Sequence, residues 1–204
     1  MTAAIDLVCW DFGDTLCDER FMRIPPDEVP QWTAVYDGVV DAHPAWVADW
    51  MLGRASLNDL IAPLAEKLPM SRAAIARHLR AVWRRIAWFP EARAWLERLD
   101  GAVPQAVVTV NPWEFAGIAA ACGLDRHVDV IVTSAEIASE SKVAMALRAR
   151  ELLALSGDLS TTLLIDNRSD NVDEFVGAGA LAIRYEPGTF EREAARLLGP
   201  LLAP

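Results

Sequence analysis

The chain is short of basic residues. In 204 residues, 19 Lys and Arg stand against 29 Asp and Glu, a formal charge of −10. A nucleic-acid partner needs clustered cations facing phosphate, and these are dispersed, so nucleic acid is excluded. The same balance gives no long-range attraction for anions, so a phosphorylated substrate needs local compensation by a metal ion and a few cations. No apolar run reaches the ~18 residues of a membrane helix, which removes the membrane as a partner. Cysteine is scarce: Cys9, Cys17 and Cys122 are odd in number and lack paired spacing. Neither a disulfide framework nor a zinc site follows, and the three read as buried apolar thiols. His43, His78 and His127 show no triad or ligand spacing. The amino terminus, Met-Thr-Ala-Ala-Ile-Asp, has no basic region and runs into a strand, so the expectation is a soluble cytoplasmic protein. Internal repeats and low-complexity tracts are absent.

What is present is a 53% hydrophobic chain long enough for one ordinary domain plus an insertion. Short apolar runs recur at Leu7 to Trp10, Ala106 to Val110, Val128 to Val132, Thr162 to Ile165 and Ala180 to Ile183. The last four each follow a helical pattern, the alternation of a parallel sheet covered on both faces. The helical patterns include Glu91 to Leu99 behind Pro90, a segment from Asn111-Pro112 to Gly123, and Ser141 to Leu155 stopped by Gly157. Between the first strand and Glu91 about seventy residues carry no strand-like run, too long for a loop. Val39 to Leu52, Ser56 to Leu68 and Ser71 to Trp88 read there as helices, with Ser56 and Ser71 as caps. The expected fold class is α/β: a three-layer Rossmann-like parallel sheet of residues 1–16 and 90–204, with an inserted α-helical unit over 17–89. Trp32, Trp46, Trp50, Trp83 and Trp88 cluster in the insertion and read as its core rather than as a substrate-stacking wall.

The first apolar run ends on Asp11, and a carboxylate at the carboxyl end of the first strand of an α/β sheet sits where such folds keep their ligands. Asp11-Phe12-Gly13-Asp14-Thr15-Leu16 resembles the first motif of the haloacid dehalogenase superfamily, usually Asp-x-Asp-x-Thr after a hydrophobic strand. The resemblance extends to Thr109 at the end of its strand, to Lys142 at the start of a helix, and to Asp166, followed by Asn167, Arg168, Ser169, Asp170 and Asn171. It implies that Asp11 is the nucleophile and that Thr109, with Asn111 and Lys142, binds the substrate's phosphoryl group. It also implies Mg²⁺ held by Asp11, Asp166, Asp170 and the main-chain carbonyl of Gly13. The helical insertion corresponds to the family's cap. The departure is Gly13 itself, since the acid usual there is missing.

The physical logic is independent of the name. A carboxylate attacks phosphorus only when repulsion between two anions is removed, which Mg²⁺ and Lys142 together would do. Glycine at 13 removes the side chain that would protonate a leaving group and then activate water, and it permits a backbone unfavourable to aspartate. Asp14 is the candidate substitute acid, with capping of the next turn as its alternative. Asn111 reads first as a helix cap, Asp170 equally as an acidic residue at a helix start, and Arg20, Arg23 and Arg168, candidates for phosphate contact, read first as surface residues. The expected function is a Mg²⁺-dependent phosphatase of a small phosphorylated metabolite acting through an aspartyl-phosphate. The alternatives are metal-free carbon–halogen hydrolysis, or a non-catalytic binding protein that lost the acid at position 13. Substrate identity and oligomeric state have no readable signal.

Overall fold

The computed structural model describes residues 5–202; Met1 to Ala4 and the last two residues lie outside them, and with them most of the amino-terminal segment just discussed. Five parallel strands form one sheet: β1 (Leu7–Trp10), β2 (Gln105–Thr109), β3 (Val130–Thr133), β4 (Thr162–Asp166) and β5 (Leu181–Arg184). Their order is β3-β2-β1-β4-β5, so β1 is central and the connection from β3 to β4 crosses it. Trp10 pairs in register with Val107 on one side and Ile165 on the other, which levels the carboxyl ends of the three middle strands. The order reverses beside β1, and such a reversal leaves a crevice outside the strand ends.

Strand periodicity divides the core in two. Val8, Trp10, Val107, Leu163 and Ile165 face one layer, containing α5 (Pro90–Leu99), α6 (Phe115–Cys122) and α10 (Phe190–Leu198). Leu7, Cys9, Ala106, Val108 and Leu164 face the other, containing α8 (Lys142–Leu152) and α9 (Ser169–Gly177). The short α7 (Ser134–Ile137) follows β3. Both faces are covered, so the strands are apolar throughout instead of alternating.

The stretch from Cys17 to Phe89 holds α1 (Trp32–Asp41), α2 (Pro44–Met51), α3 (Leu57–Lys67) and α4 (Arg72–Val82), preceded and followed by 3₁₀ turns at Glu19–Arg23 and Trp83–Arg85. Its outgoing and returning ends pair: Asp18 N donates to Ala87 O at 3.0 Å and Phe89 N to Leu16 O at 2.9 Å. The helix expected over Val39 to Leu52 is instead the end of α1, which already begins at Trp32, followed by α2, because His43 leaves helical geometry and Pro44 opens the next helix. Ser56 and Ser71 cap as expected: Ser71 accepts from Ala74 N, and Ser56 forms a reciprocal box with Asp59. Among the insertion tryptophans, Trp32 is fully buried with its Nε1 on Met22 O, Trp46 stacks on Trp50, and Trp50 reaches the cavity described below. No helix among the described residues is long and apolar enough to cross a membrane.

Candidate active site

Asp11 follows β1 directly, Thr109 ends β2 and Asp166 ends β4, so three adjacent strands bring these side chains together. Lys142, in the first turn of α8, reaches in from the opposite layer and is 1% exposed. Its Nζ donates to Asp11 Oδ1 at 2.6 Å and to Val108 O at 2.8 Å, and stands 3.2 Å from Asp166 Oδ2. Three acceptors match the three hydrogens of an ammonium group. Burial pulls its pKa down, but the two carboxylates outweigh burial and hold it above the ordinary lysine range. Lys142 is therefore a charged residue of the floor, not a solvated helix position.

The two acids differ in what remains free. Asp166 is fully buried; its oxygens accept from Asn171 Nδ2 at 2.9 and 3.0 Å, from Arg168 N at 2.9 Å, and face Lys142. Among the described residues the side-chain hydrogen bond on Asp11 Oδ2 is the long one from the Thr15 hydroxyl, at 3.5 Å, and Asp11 lines open space beyond the strand ends. That space is a cavity of about 610 Å³ between the strand ends and the insertion, with Phe21, Met22, Trp50 and Met51 as its apolar wall. The roof is tied down by polar contacts: Glu114 accepts from Trp50 Nε1 (3.2 Å) and Leu57 N (3.0 Å), and Ser134 Oγ donates to Met51 O at 2.6 Å.

Of the remaining expected residues, Asn111 lines the cavity and donates from Nδ2 to Thr109 Oγ1 at 2.8 Å. It does not cap α6, which begins only at Phe115. The amide thus takes one acceptor position of the Thr109 hydroxyl, whose hydrogen has no acceptor among the described residues. Gly13 lines the cavity and is not in the left-handed region, so the backbone itself would accept a side chain there, contrary to the sequence expectation. Asp14 is the left-handed residue, at φ 53, and its carboxylate receives Glu19 N at 3.4 Å. Asp170 lines the cavity, exposed and paired with Arg168. Arg23 is paired with Asp37, and Arg20 with Asp18. Two residues of the site went unassigned from sequence: Asn171, which holds Asp166, and Glu19, exposed overall but with a carboxyl pushed upward by its partial enclosure in the cavity wall and then by Asp14. Only membership of the motif-flanking segments marked either.

Whether these residues suit magnesium is a question of donors. The cavity carries the carboxylates of Asp11, Asp14, Glu19, Glu140 and Asp170, and its cations Arg23, Lys142 and Arg168 are each already paired. A phosphoryl group entering it would meet excess negative charge, and hard oxygen donors lacking a cation suit Mg²⁺. Among the described residues no three His, Cys, Asp or Glu side chains gather as a cage. Magnesium commonly takes one or two carboxylates and completes its shell with water and substrate oxygens, so the Asp11 carboxylate with one neighbour is enough. Asp166 joins it only by giving up its Asn171 contacts.

No protein-family model matches the sequence, and no curated protein does. Solved structures do. The L-2-haloacid dehalogenase of Xanthobacter autotrophicus with chloropropionic acid covalently bound is 18% identical, with TM-score 0.63 over 98% of this chain and 85% of that one. A HAD family enzyme of Bacteroides thetaiotaomicron in complex with magnesium and inorganic phosphate is 11% identical, with TM-score 0.65 over 91% and 96%. A predicted HAD-like family hydrolase from Porphyromonas gingivalis is 15% identical, with TM-score 0.67 over 96% and 98%. This is the fold of the haloacid dehalogenase superfamily. The haloacid dehalogenase fold accounts for the convergence of Asp11, Thr109, Lys142 and Asp166 from separate strands and a helix. At these identities it is shared by neighbours described as a dehalogenase and as a magnesium and phosphate complex.

Proposed function

We propose that this chain is a Mg²⁺-dependent phosphohydrolase of a small substrate, working through a phosphoryl adduct on Asp11. The observation that carries the reading is the open Oδ2 of a buried Asp11, whose other oxygen is fixed by Lys142, on the floor of a cavity with surplus carboxylates. Asp11, with Asp166 once released from Asn171, would hold Mg²⁺, which would supply charge neutralisation for the phosphoryl group. The rest falls to the chain. Burial raises the Asp11 pKa, Lys142 beside it works against that rise, and the hydrogen bond from Lys142 fixes one carboxylate oxygen. The free Thr109 hydroxyl and the Asn111 amide orient a phosphoryl oxygen, and the roof helices exclude bulk water. A phosphorylated-metabolite panel with added Mg²⁺ tests this, together with labelled-phosphate trapping on acid-quenched protein. Label should locate to Asp11, and Asp11→Asn should lower kcat by several orders of magnitude rather than raise KM, because the nucleophile is gone.

Carbon–halogen hydrolysis is the second reading. On its side is the engagement of both Asp166 oxygens by protein donors, which leaves one open carboxylate oxygen, all that displacement at carbon requires. Full turnover of a 2-haloacid in excess chelator, with no phosphate label on Asp11, would decide for it. Absence of turnover in both assays would leave a binding protein.

A further inference from the structure

A Cβ built on Gly13 falls 3.0 Å from Glu19 Oε2 and 3.2 Å from Glu19 Cβ. The volume that a side chain two residues after the nucleophile would fill is therefore already taken, by a carboxylate that arrives from six residues further along. Local structure holds it there. The turn after Phe12 closes with Asp14 N on Cys17 O at 2.7 Å, the Asp14 carboxylate receives Glu19 N, and Asp18 caps the 3₁₀ turn by accepting from Arg20 N at 2.9 Å. Asp18 and Asp170 are each paired with an arginine, whereas the Glu19 carboxylate has no hydrogen-bond or ion-pair partner among the described residues. It lines the same cavity as Asp11 and Lys142.

We propose that Glu19 is the general acid and base of the reaction, standing in for the side chain that position 13 lacks. The assignment rests on the phosphohydrolase reading and deepens it. In the first step Asp11 Oδ2 bonds to phosphorus while the bond from phosphorus to the leaving oxygen breaks, and the Glu19 carboxylic acid gives its proton to that oxygen. In the second, water bonds to phosphorus, the Glu19 carboxylate takes the water's proton, and the Asp11–phosphorus bond breaks. Inorganic phosphate leaves, and both side chains return to their starting forms. Asp14 then acts as a positioning residue through the Glu19 backbone.

The test uses the full chain with Mg²⁺, 4-nitrophenyl phosphate as the activated aryl ester, and glycerol phosphate as the alkyl ester. Glu19→Gln, which keeps the shape, should lower kcat on the alkyl ester by ~10²–10⁴-fold. With the aryl ester, whose leaving oxygen needs little protonation, the first step survives and the second slows, so labelled phosphate on Asp11 should accumulate above the wild-type level. Loss of positioning alone would not raise that adduct. Moving the acid back, in Gly13→Asp with Glu19→Ala, should recover alkyl turnover at least tenfold over Glu19→Ala. Wild-type alkyl turnover and adduct level in Glu19→Gln would overturn the assignment while leaving the Asp11 mechanism standing. Failure of wild-type protein to form any Asp11 adduct overturns the phosphohydrolase reading, and the role of Glu19 with it.

Discussion

At the scale of single residues, Lys142 is the point on which charge in the floor depends. It is buried, and two carboxylates beside it, Asp11 and Asp166, have no other cation within ion-pair distance among the described residues. Removing one partner of a buried ionic group costs more than the group contributes when intact, because the remaining charges stay desolvated. Lys142→Met should therefore lower unfolding stability by about 3–5 kcal/mol in urea titration at neutral pH. The loss should shrink when Asp11→Asn is added, since one stranded carboxylate is then neutral. Additive losses would show that the floor is hydrated rather than dry. Lys142 was legible in the sequence through its helix-start position and motif order. Asn171 and Glu19 were not, because each acts through a fold-dependent contact: one places its amide across Asp166, the other fills space beside a glycine six residues back.

At the scale of elements, the insertion is fastened to the sheet domain through residues that sequence periodicity cannot single out. Glu114 precedes α6, yet its carboxylate satisfies Leu57 N at the start of α3 and Trp50 Nε1 near the end of α2. It acts as a helix cap supplied from another part of the chain, stabilised by the partial positive charge of the α3 amino terminus. Glu114→Ala should leave two partly buried donors without acceptors, at about 1–3 kcal/mol each in the extreme of full burial. Amide exchange at Leu57 and its neighbours should accelerate while β1 and β4 keep their protection; uniform acceleration would mean global destabilisation instead. The helices themselves were legible from apolar spacing and serine caps. Their boundaries were not where proline and asparagine compete with tertiary contacts: Pro44 divides one expected helix, and Asn111 turns to Thr109 instead of capping.

At the scale of the whole molecule, the parallel sheet was legible because strands buried on both faces are apolar throughout, and the carboxyl-end position of Asp11 followed from that. The same complete burial predicts an alkaline limit to stability. Burial pushes the Cys9 thiol up to about 12 and the Cys17 thiol higher still, and burial also raises Tyr36 to about 12. In each case the native state resists losing a proton that the unfolded chain gives up at its ordinary pKa. A raised native pKa contributes stability that is complete below the unfolded value and is lost as pH rises toward the folded one. Thiols ionise first in the unfolded chain, so stability should hold level to about pH 9 and then decline, by up to ~1.4 kcal/mol per pH unit for each buried thiol. Tyr36 joins only above about pH 10. Urea midpoints measured between pH 7.5 and 10.5 should show this bend. Cys9→Ala with Cys17→Ala should start lower at neutral pH, because buried volume is lost, yet fall less steeply between pH 9 and 10. An unchanged slope in that variant would assign the alkaline decline to other groups and show that water reaches the two thiols in the native protein.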